Sequence, residues 1–239
     1  MPSSPRTSPA KAPLSRDAIV ATTLALVDEL GFGVVSMRRV AQALDTGPAS
    51  LYVYVRDRDE LMALAHDLAV APVELPGESD GDWRARLELL VDRIVDALGS
   101  HDDIASVGLT DVPVGPQTLR VTEEMLRLLR VGGIDDAACA WAADLLGQYI
   151  ASSALEKAAR LRAQRDLARA DATGCASEEA MSEAFSARLD VVYRSLPADR
   201  YPTIAVLAPL LTGGHGGSRA AWKLRVIIDG LLAQDPALR

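Results

Sequence analysis

Ser36–Met62 reads SMRRVAQALDTGPASLYVYVRDRDELM, and the fold turns on this stretch. Ser36 offers a hydroxyl to cap a short helix, Met37–Leu44, whose Val40, Ala41 and Leu44 form an apolar face. Asp45-Thr46-Gly47 then turns the chain. Asp enters the left-handed region more readily than most residues, so Asp45 suits the tightest point of the turn. Pro48 fits the first turn of a following helix, where its missing N–H costs little. That helix is predicted from Pro48 to about Val55, with Leu51 and Val55 four apart on its buried face. Its other face is too polar and too aromatic for simple core. Tyr52 and Tyr54 are two apart on a helix, point in different directions and cannot both be buried easily. Two short helices about a tight turn, the second with a polar face, form a helix-turn-helix that places its second helix in the DNA major groove.

Working outward, Ser15 caps a first helix with Ile19, Thr23, Leu26 and Leu30 at helical spacing, and Gly31 ends it. Asp57 or Asp59 caps a fourth helix running to about Val70. Its late residues His66 and Asp67 are placed to touch whatever follows. Met1–Pro13 is Pro/Ser-rich and is expected to be a disordered arm, not a signal peptide. Pro72–Asp82 is a polar connection and the expected domain boundary. Beyond it, helices are predicted over Trp83–Leu98, Gln117–Val131, Asp136–Leu167, Ser177–Leu196 and Ser218–Ala233, while Pro202, Pro209 and Gly213–Gly217 break the chain. In the last helix, Trp222, Val226, Ile227 and Leu231 are expected in the core. No stretch alternates in the manner of a strand, so the chain reads as all-α. Three parts are expected: an arm (1–13), a helix-turn-helix DNA-binding domain (14–71) and a helical ligand-binding and dimerisation domain (82–239).

The 239 residues are 49% hydrophobic, 4% aromatic and carry a formal net charge of −8. An acidic chain argues against phosphate binding until the charge is located. Residues 1–56 hold six basic side chains (Arg6, Lys11, Arg16, Arg38, Arg39, Arg56) against four acidic ones (Asp17, Asp28, Glu29, Asp45). The acidity therefore belongs to the rest, and the helix-turn-helix end is mildly positive. Cys139 and Cys175 make no disulfide framework, which suits a reducing cytoplasm. No apolar run reaches the ~18 residues of a membrane helix. His66, His101 and His215 lack local metal-ligand spacing, so no metal or cofactor is expected. There is no G-x-S-x-G elbow, and the Gly-rich Thr212–Ser218 lacks the phosphate-loop pattern, so the chain is not expected to be an enzyme. Arg160, Arg162, Arg165 and Arg169 read as a solvated face.

The pattern S-M-R-R-V-A-x-x-L … S-L-Y-x-Y-V-x-x-R-D-E-L resembles the DNA-binding domain of the tetracycline-repressor (TetR) family, strongly over Leu14–Val70. His101–Ala159 and Tyr201–Ala233 resemble the C-terminal domain of the tetracycline-repressor branch. The resemblance implies a homodimer that binds a palindromic DNA operator and releases it when a small molecule enters the helical domain. Activation or co-repressor-dependent control is the alternative it also allows. By matched position it implies DNA contacts from Arg38 (guanine edge or phosphate), Pro48 and Ala49 (base faces), and Ser50, Tyr52, Tyr54 and Arg58 (phosphates). Two positions depart from the family: Asp45 stands where Gly is usual, and Tyr54 where His is common. The founding branch uses a C-terminal-domain His in recognising a metal chelate, which singles out His101 as a possible neighbour of the ligand.

For the ligand pocket, Met125, Trp141, Leu145, Tyr149 and Phe185 join His101 as candidates, each equally readable as helix core. For the dimer, two apolar stripes are candidates: Phe185, Leu189, Val192 and Leu196, and Ala221, Leu224, Ile228 and Leu231. They pack either with their symmetry mates as a four-helix bundle or within the protomer.

Overall fold

A computed structural model describes residues 13–110, 112–170, 187–213 and 216–233, with the backbone alone for 167–170 and 216–218. Among these residues the chain is all-α. Helices α1 (Arg16–Leu30), α2 (Met37–Ala43), α3 (Pro48–Leu51) and α4 (Arg58–Val70) precede α5 (Trp83–Gly99), α6 (Val107–Thr110), α7 (Pro116–Val131) and α8 (Asp136–Ala170). A segment α9 (187–194), then α10 (Pro202–Thr212) and α11 (Gly216–Leu232), complete it. The expected arm and Phe185 lie outside the described residues, Pro13 apart.

The helix ends follow from the expected caps. Ser15 accepts a hydrogen bond from the Ala18 amide at 3.1 Å, Ser36 from Arg39 at 3.4 Å and Asp57 from Glu60 at 2.8 Å. Gly31 ends α1 at φ 94°, a conformation that favours glycine. Asp45, at φ 49°, closes α2 in a Schellman motif: its own amide donates to Gln42 O, and the Thr46 amide donates to Ala41 O at 2.9 Å. Asp thus fills the position usually held by Gly.

One apolar core runs from α1 to α11 without a break at the connection between the two predicted domains. Helix α4 is shared. It buries Leu61, Met62 and Ala65 and, a turn later, His66, Asp67, Ala69 and Val70. The connection itself is strapped down by arginines: Arg120 donates to Val73 O at 2.8 Å and Arg93 to Glu74 O at 2.9 Å. In α5, Leu87, Leu90, Val91, Ile94 and Leu98 bury one stripe against α7 and α8. Each such side chain contributes about 1.5–3 kcal/mol relative to exposure.

Three expectations are corrected. First, α3 has only four helical residues, and Tyr52–Tyr54 continue as turn. Second, Pro202 starts a helix instead of breaking one, because proline at the first position loses no intrahelical bond; Pro209 sits inside α10 near its end. Third, in α11 Leu224, Ile228 and Leu231 are buried within the protomer, while Trp222 and Val226 are 62% and 48% exposed. Helix α11 packs on α8, where Tyr149 donates its hydroxyl to Ala220 O at 2.9 Å, and Arg84 of α5 pairs with Asp229 at 2.7 Å. The inward stripe is therefore intramolecular. The outward apolar face consists of Val206 and Leu210 of α10 and Trp222 and Val226 of α11, beside Val191 and Val192 of α9. Leu189 is half-buried.

Candidate nucleic-acid interface and ligand cavity

The α2–turn–α3 unit presents a polar surface on a rigid base. Leu51 is fully buried and Val55 nearly so, anchoring α3, while Val40 and Ala41 anchor α2. Outside, Arg38, Pro48, Ala49 and Tyr52 are exposed, and Ser50 is half-buried. Arg38, Gln42, Asp45, Thr46, Gly47 and Pro48 line one shallow surface depression, so the α2 and α3 candidates share a face. Val53 is 81% exposed beside Tyr52. Sequence reasoning passed over it as one more apolar residue; its place between Leu51 and Val55, off their shared face, was the available signal.

Two phosphate candidates are turned inward. The Tyr54 hydroxyl donates to Leu14 O at 2.8 Å, tying the turn after α3 to the start of the ordered chain. Arg58 donates from Nε to Val35 O and from Nη2 to Phe32 O, both at 2.8 Å, and lies over the Phe32 ring at 5.0 Å. Carbonyls of the α1–α2 connection capture both side chains, which brace the reading head from behind.

The junction with the helical domain carries a second brace. The Asp102 carboxylate, 5% exposed, accepts the Phe32 amide at 2.9 Å and pairs with Arg162 of α8. Arg162 also reaches Asp103 at 2.7 Å, so it is no solvated charge. His101 Nδ1 stands 3.0 Å from the Asp28 carboxylate of α1. His101 is therefore a junction residue and does not line the cavity described next.

That cavity, of about 360 Å³, lies between α4, α5, α7 and α8, within the size range of small-molecule sites. Val70, Ile94, Leu98, Val121, Met125 and Ile150 make it largely aliphatic, and His66, Thr118, Thr122, Asp144 and Gln148 are its polar members. Of the pocket candidates, Met125 lines it. Leu145 and Tyr149 line a neighbouring open groove that shares Gly108, Val112 and Gln148 with it. Trp141 is 69% exposed and lines neither. The long-range packing of α4 on α7 decides these places, and helical spacing does not report it.

Two adjacent α4 residues stand at the cavity floor. Helix α7 begins after Gly115, which has no side chain to cap it. Asp67 supplies the cap from α4, accepting the Thr118 amide at 2.8 Å, the Thr118 hydroxyl at 3.0 Å and the Gln117 amide at 3.3 Å. A Cβ at position 115 would lie 2.3 Å from the Asp67 carboxyl, so the close approach requires glycine. His66, 4% exposed, has no hydrogen-bond partner at Nδ1. Burial pushes its pKa down to about 4 against the smaller opposing pull of Asp67, so the imidazole is neutral near pH 7. Among the described residues no group of three His, Cys, Asp or Glu side chains is placed to hold a metal. No described helix is long and apolar enough to cross a membrane.

An all-α chain with an N-terminal helix-turn-helix and a cavity in the helical domain behind it defines a class, the one-chain transcriptional regulators. Comparison with known proteins narrows it. Residues 75–234 match the family model described as the tetracyclin repressor-like C-terminal domain. The HTH-type transcriptional repressor DrrR1 of Streptomyces coeruleorubidus is 30% identical over 92% of this chain and 78% of its own length. The structure of ActR from Streptomyces coelicolor in complex with actinorhodin superposes with a TM-score of 0.77 at 33% identity, covering 95% of this chain and all of that one. BioQ with its double-stranded DNA operator gives a TM-score of 0.56 at 25% identity over 62% of this chain and 90% of that one. The chain belongs to the tetracycline-repressor family of transcriptional regulators.

Proposed function

We propose that this protein is a repressor that binds a palindromic operator as a homodimer and releases it when a small molecule fills the cavity between α4, α5, α7 and α8. The observation that carries this reading is that α4 serves both ends. Its first turn follows the reading head, and its last two turns, with His66 and Val70, form cavity wall. ActR with actinorhodin supports a ligand in this domain, and BioQ with its operator supports duplex DNA at the other.

On the DNA side, Arg38 reads a guanine edge or grips a phosphate, Pro48, Ala49 and Val53 offer apolar contact to thymine methyls, and Ser50 and Tyr52 set register on phosphates. Tyr54 and Arg58 act indirectly, by holding the unit's shape. Dimerisation through the outward face of α9–α11 sets two reading heads about one DNA turn (~34 Å) apart. Ligand in the cavity displaces α4 and the α5–α6 segment. The junction made by Asp102, Arg162 and His101 carries that displacement to the α1–α2 connection, and the heads leave their spacing. Such a protein works in the cytoplasm.

The test is selection of bound fragments from a random DNA pool by the purified protein. Fluorescence anisotropy of the selected duplex is then followed with and without actinorhodin as a trial ligand. A palindrome whose affinity falls about 5- to 150-fold with ligand is expected. A ligand that binds while operator affinity stays constant contradicts the reading.

A further inference from the structure

The cavity has one polar group that the fold leaves unused. Of the two buried polar side chains at its floor, Asp67 has a full set of partners at the start of α7. His66 has none at Nδ1, although the ring is 4% exposed and belongs to the cavity wall. An unpaired buried polar atom costs about 1–3 kcal/mol, so its persistence calls for a use.

Resting on the ligand reading above, we propose that His66 is the residue that selects the ligand, and that the ligand is an uncharged, largely apolar molecule presenting a carbonyl oxygen to the His66 Nε2–H.

Three observations lead there. A neutral imidazole carries one N–H. Nδ1 is sealed and unpartnered, and a bare acceptor is less costly to leave unpaired than an N–H. The proton therefore sits on Nε2, and the group offered to the cavity is a donor. Its complement is an acceptor. The charged groups around the ring decide what kind of acceptor. The cavity lining contains Asp144 and no Lys or Arg, and Asp67 stands beside His66 in sequence. A carboxylate or phosphate would enter an aliphatic space holding one negative charge and no positive one, which low polarity penalises heavily. A ketone, quinone or lactone oxygen meets the donor without that penalty. Thr118 and Thr122 of α7 and Gln148 of α8, which also line the space, can serve further polar groups on the same molecule.

The location gives the contact a consequence. His66 precedes Asp67, and Asp67 caps α7. A ligand that draws on His66 pulls at the residue next to the α4–α7 tie.

The proposal is tested with three probes of one shape: 9-fluorenone, fluorene and fluorene-9-carboxylate. Each is titrated calorimetrically into the full-length protein and into the His66→Phe and His66→Gln variants. Thermal melting confirms that the variants fold. In the wild type, 9-fluorenone is expected to bind about fivefold or more tighter than fluorene, the worth of one hydrogen bond, and the carboxylate weakest. His66→Phe brings the fluorenone-to-fluorene ratio to about one and leaves fluorene affinity within roughly twofold. His66→Gln, which keeps an N–H donor, restores part of the preference. An unchanged ratio in His66→Phe, or a wild type that does not distinguish the two, overturns the role of His66 while leaving the cavity a ligand site. Tighter binding of the carboxylate overturns the uncharged class. Binding of none of the three overturns the ligand reading of the cavity itself.

Discussion

The reading head and the ligand cavity meet along α4, and they treat polar side chains in opposite ways. In the head, Tyr54 and Arg58 are closed onto backbone carbonyls of Leu14, Phe32 and Val35, while Arg38 and Tyr52 stay open to solvent. In the cavity, Asp67 is closed onto α7 while the neighbouring His66 stays open, but to the interior. The lesson is common to both. A polar group with partners holds the shape of its region, and a polar group without them is available to something outside the chain. Removing a closed group should cost stability. Removing an open one should cost binding and little else.

The largest effect is expected where the closed group is most buried. Asp67→Ala strips the cap from α7 and leaves the Gln117 and Thr118 amides unpaired, so urea unfolding should show a loss of roughly 2–4 kcal/mol. A loss under ~0.5 kcal/mol would mean that Asp67 is not closed in the sense described.

His66 sharpens the contrast through pH. Its folded pKa, about 4, lies below the unfolded value near 6.5. Below pH 6.5 the unfolded chain takes up a proton that the folded one refuses, so stability is full above that pH and falls as pH drops toward 4. The loss attributable to this group is on the order of 3 kcal/mol by pH 4. His66→Phe should flatten that window in a pH series of thermal melts while leaving neutral-pH stability nearly unchanged. A slope that persists in the variant assigns the proton uptake elsewhere.

In the head, the smallest effects on stability separate the two tyrosines and the two arginines. Arg38→Ala should leave the melting temperature unchanged and weaken operator binding about 5- to 150-fold, the worth of a bidentate base contact. Tyr54→Phe should do the converse: about 1 kcal/mol of stability lost with its bond to Leu14, and operator affinity little changed. If Tyr54→Phe weakens DNA binding as much as Tyr52→Phe, the inward hydroxyl is released on the duplex and the contrast fails.

Much of this was legible in the residues. Ser15, Ser36 and Asp57 cap the helices they were expected to cap, and Asp45 takes the left-handed turn position, because caps and turns are decided by neighbours in sequence. The partner of a polar side chain is not. Tyr54 meets Leu14 forty residues back, and Arg162 meets Asp102 sixty residues away, so a matched position predicts a phosphate contact where the fold has already supplied a carbonyl or a carboxylate. Helix α11 shows a second limit. It is apolar on both faces, and periodicity alone does not tell the stripe at Leu224, Ile228 and Leu231, which packs inside the protomer, from the outward pair Trp222 and Val226. His66 was noticed only as a residue near the second domain. Its importance comes from what surrounds it, and α5, α7 and α8 supply that from 28 to 85 positions later in the chain.

The central claim is that cavity and operator are coupled through α4 and the Asp102 junction. Coupling of this kind is reciprocal, so what the ligand does to DNA affinity, DNA must do to ligand affinity. The direct measurement is the calorimetric affinity of 9-fluorenone for the protein alone and for the protein saturated with its selected operator duplex. The account predicts binding about 5- to 150-fold weaker on the DNA complex. Equal affinity for the two would contradict it.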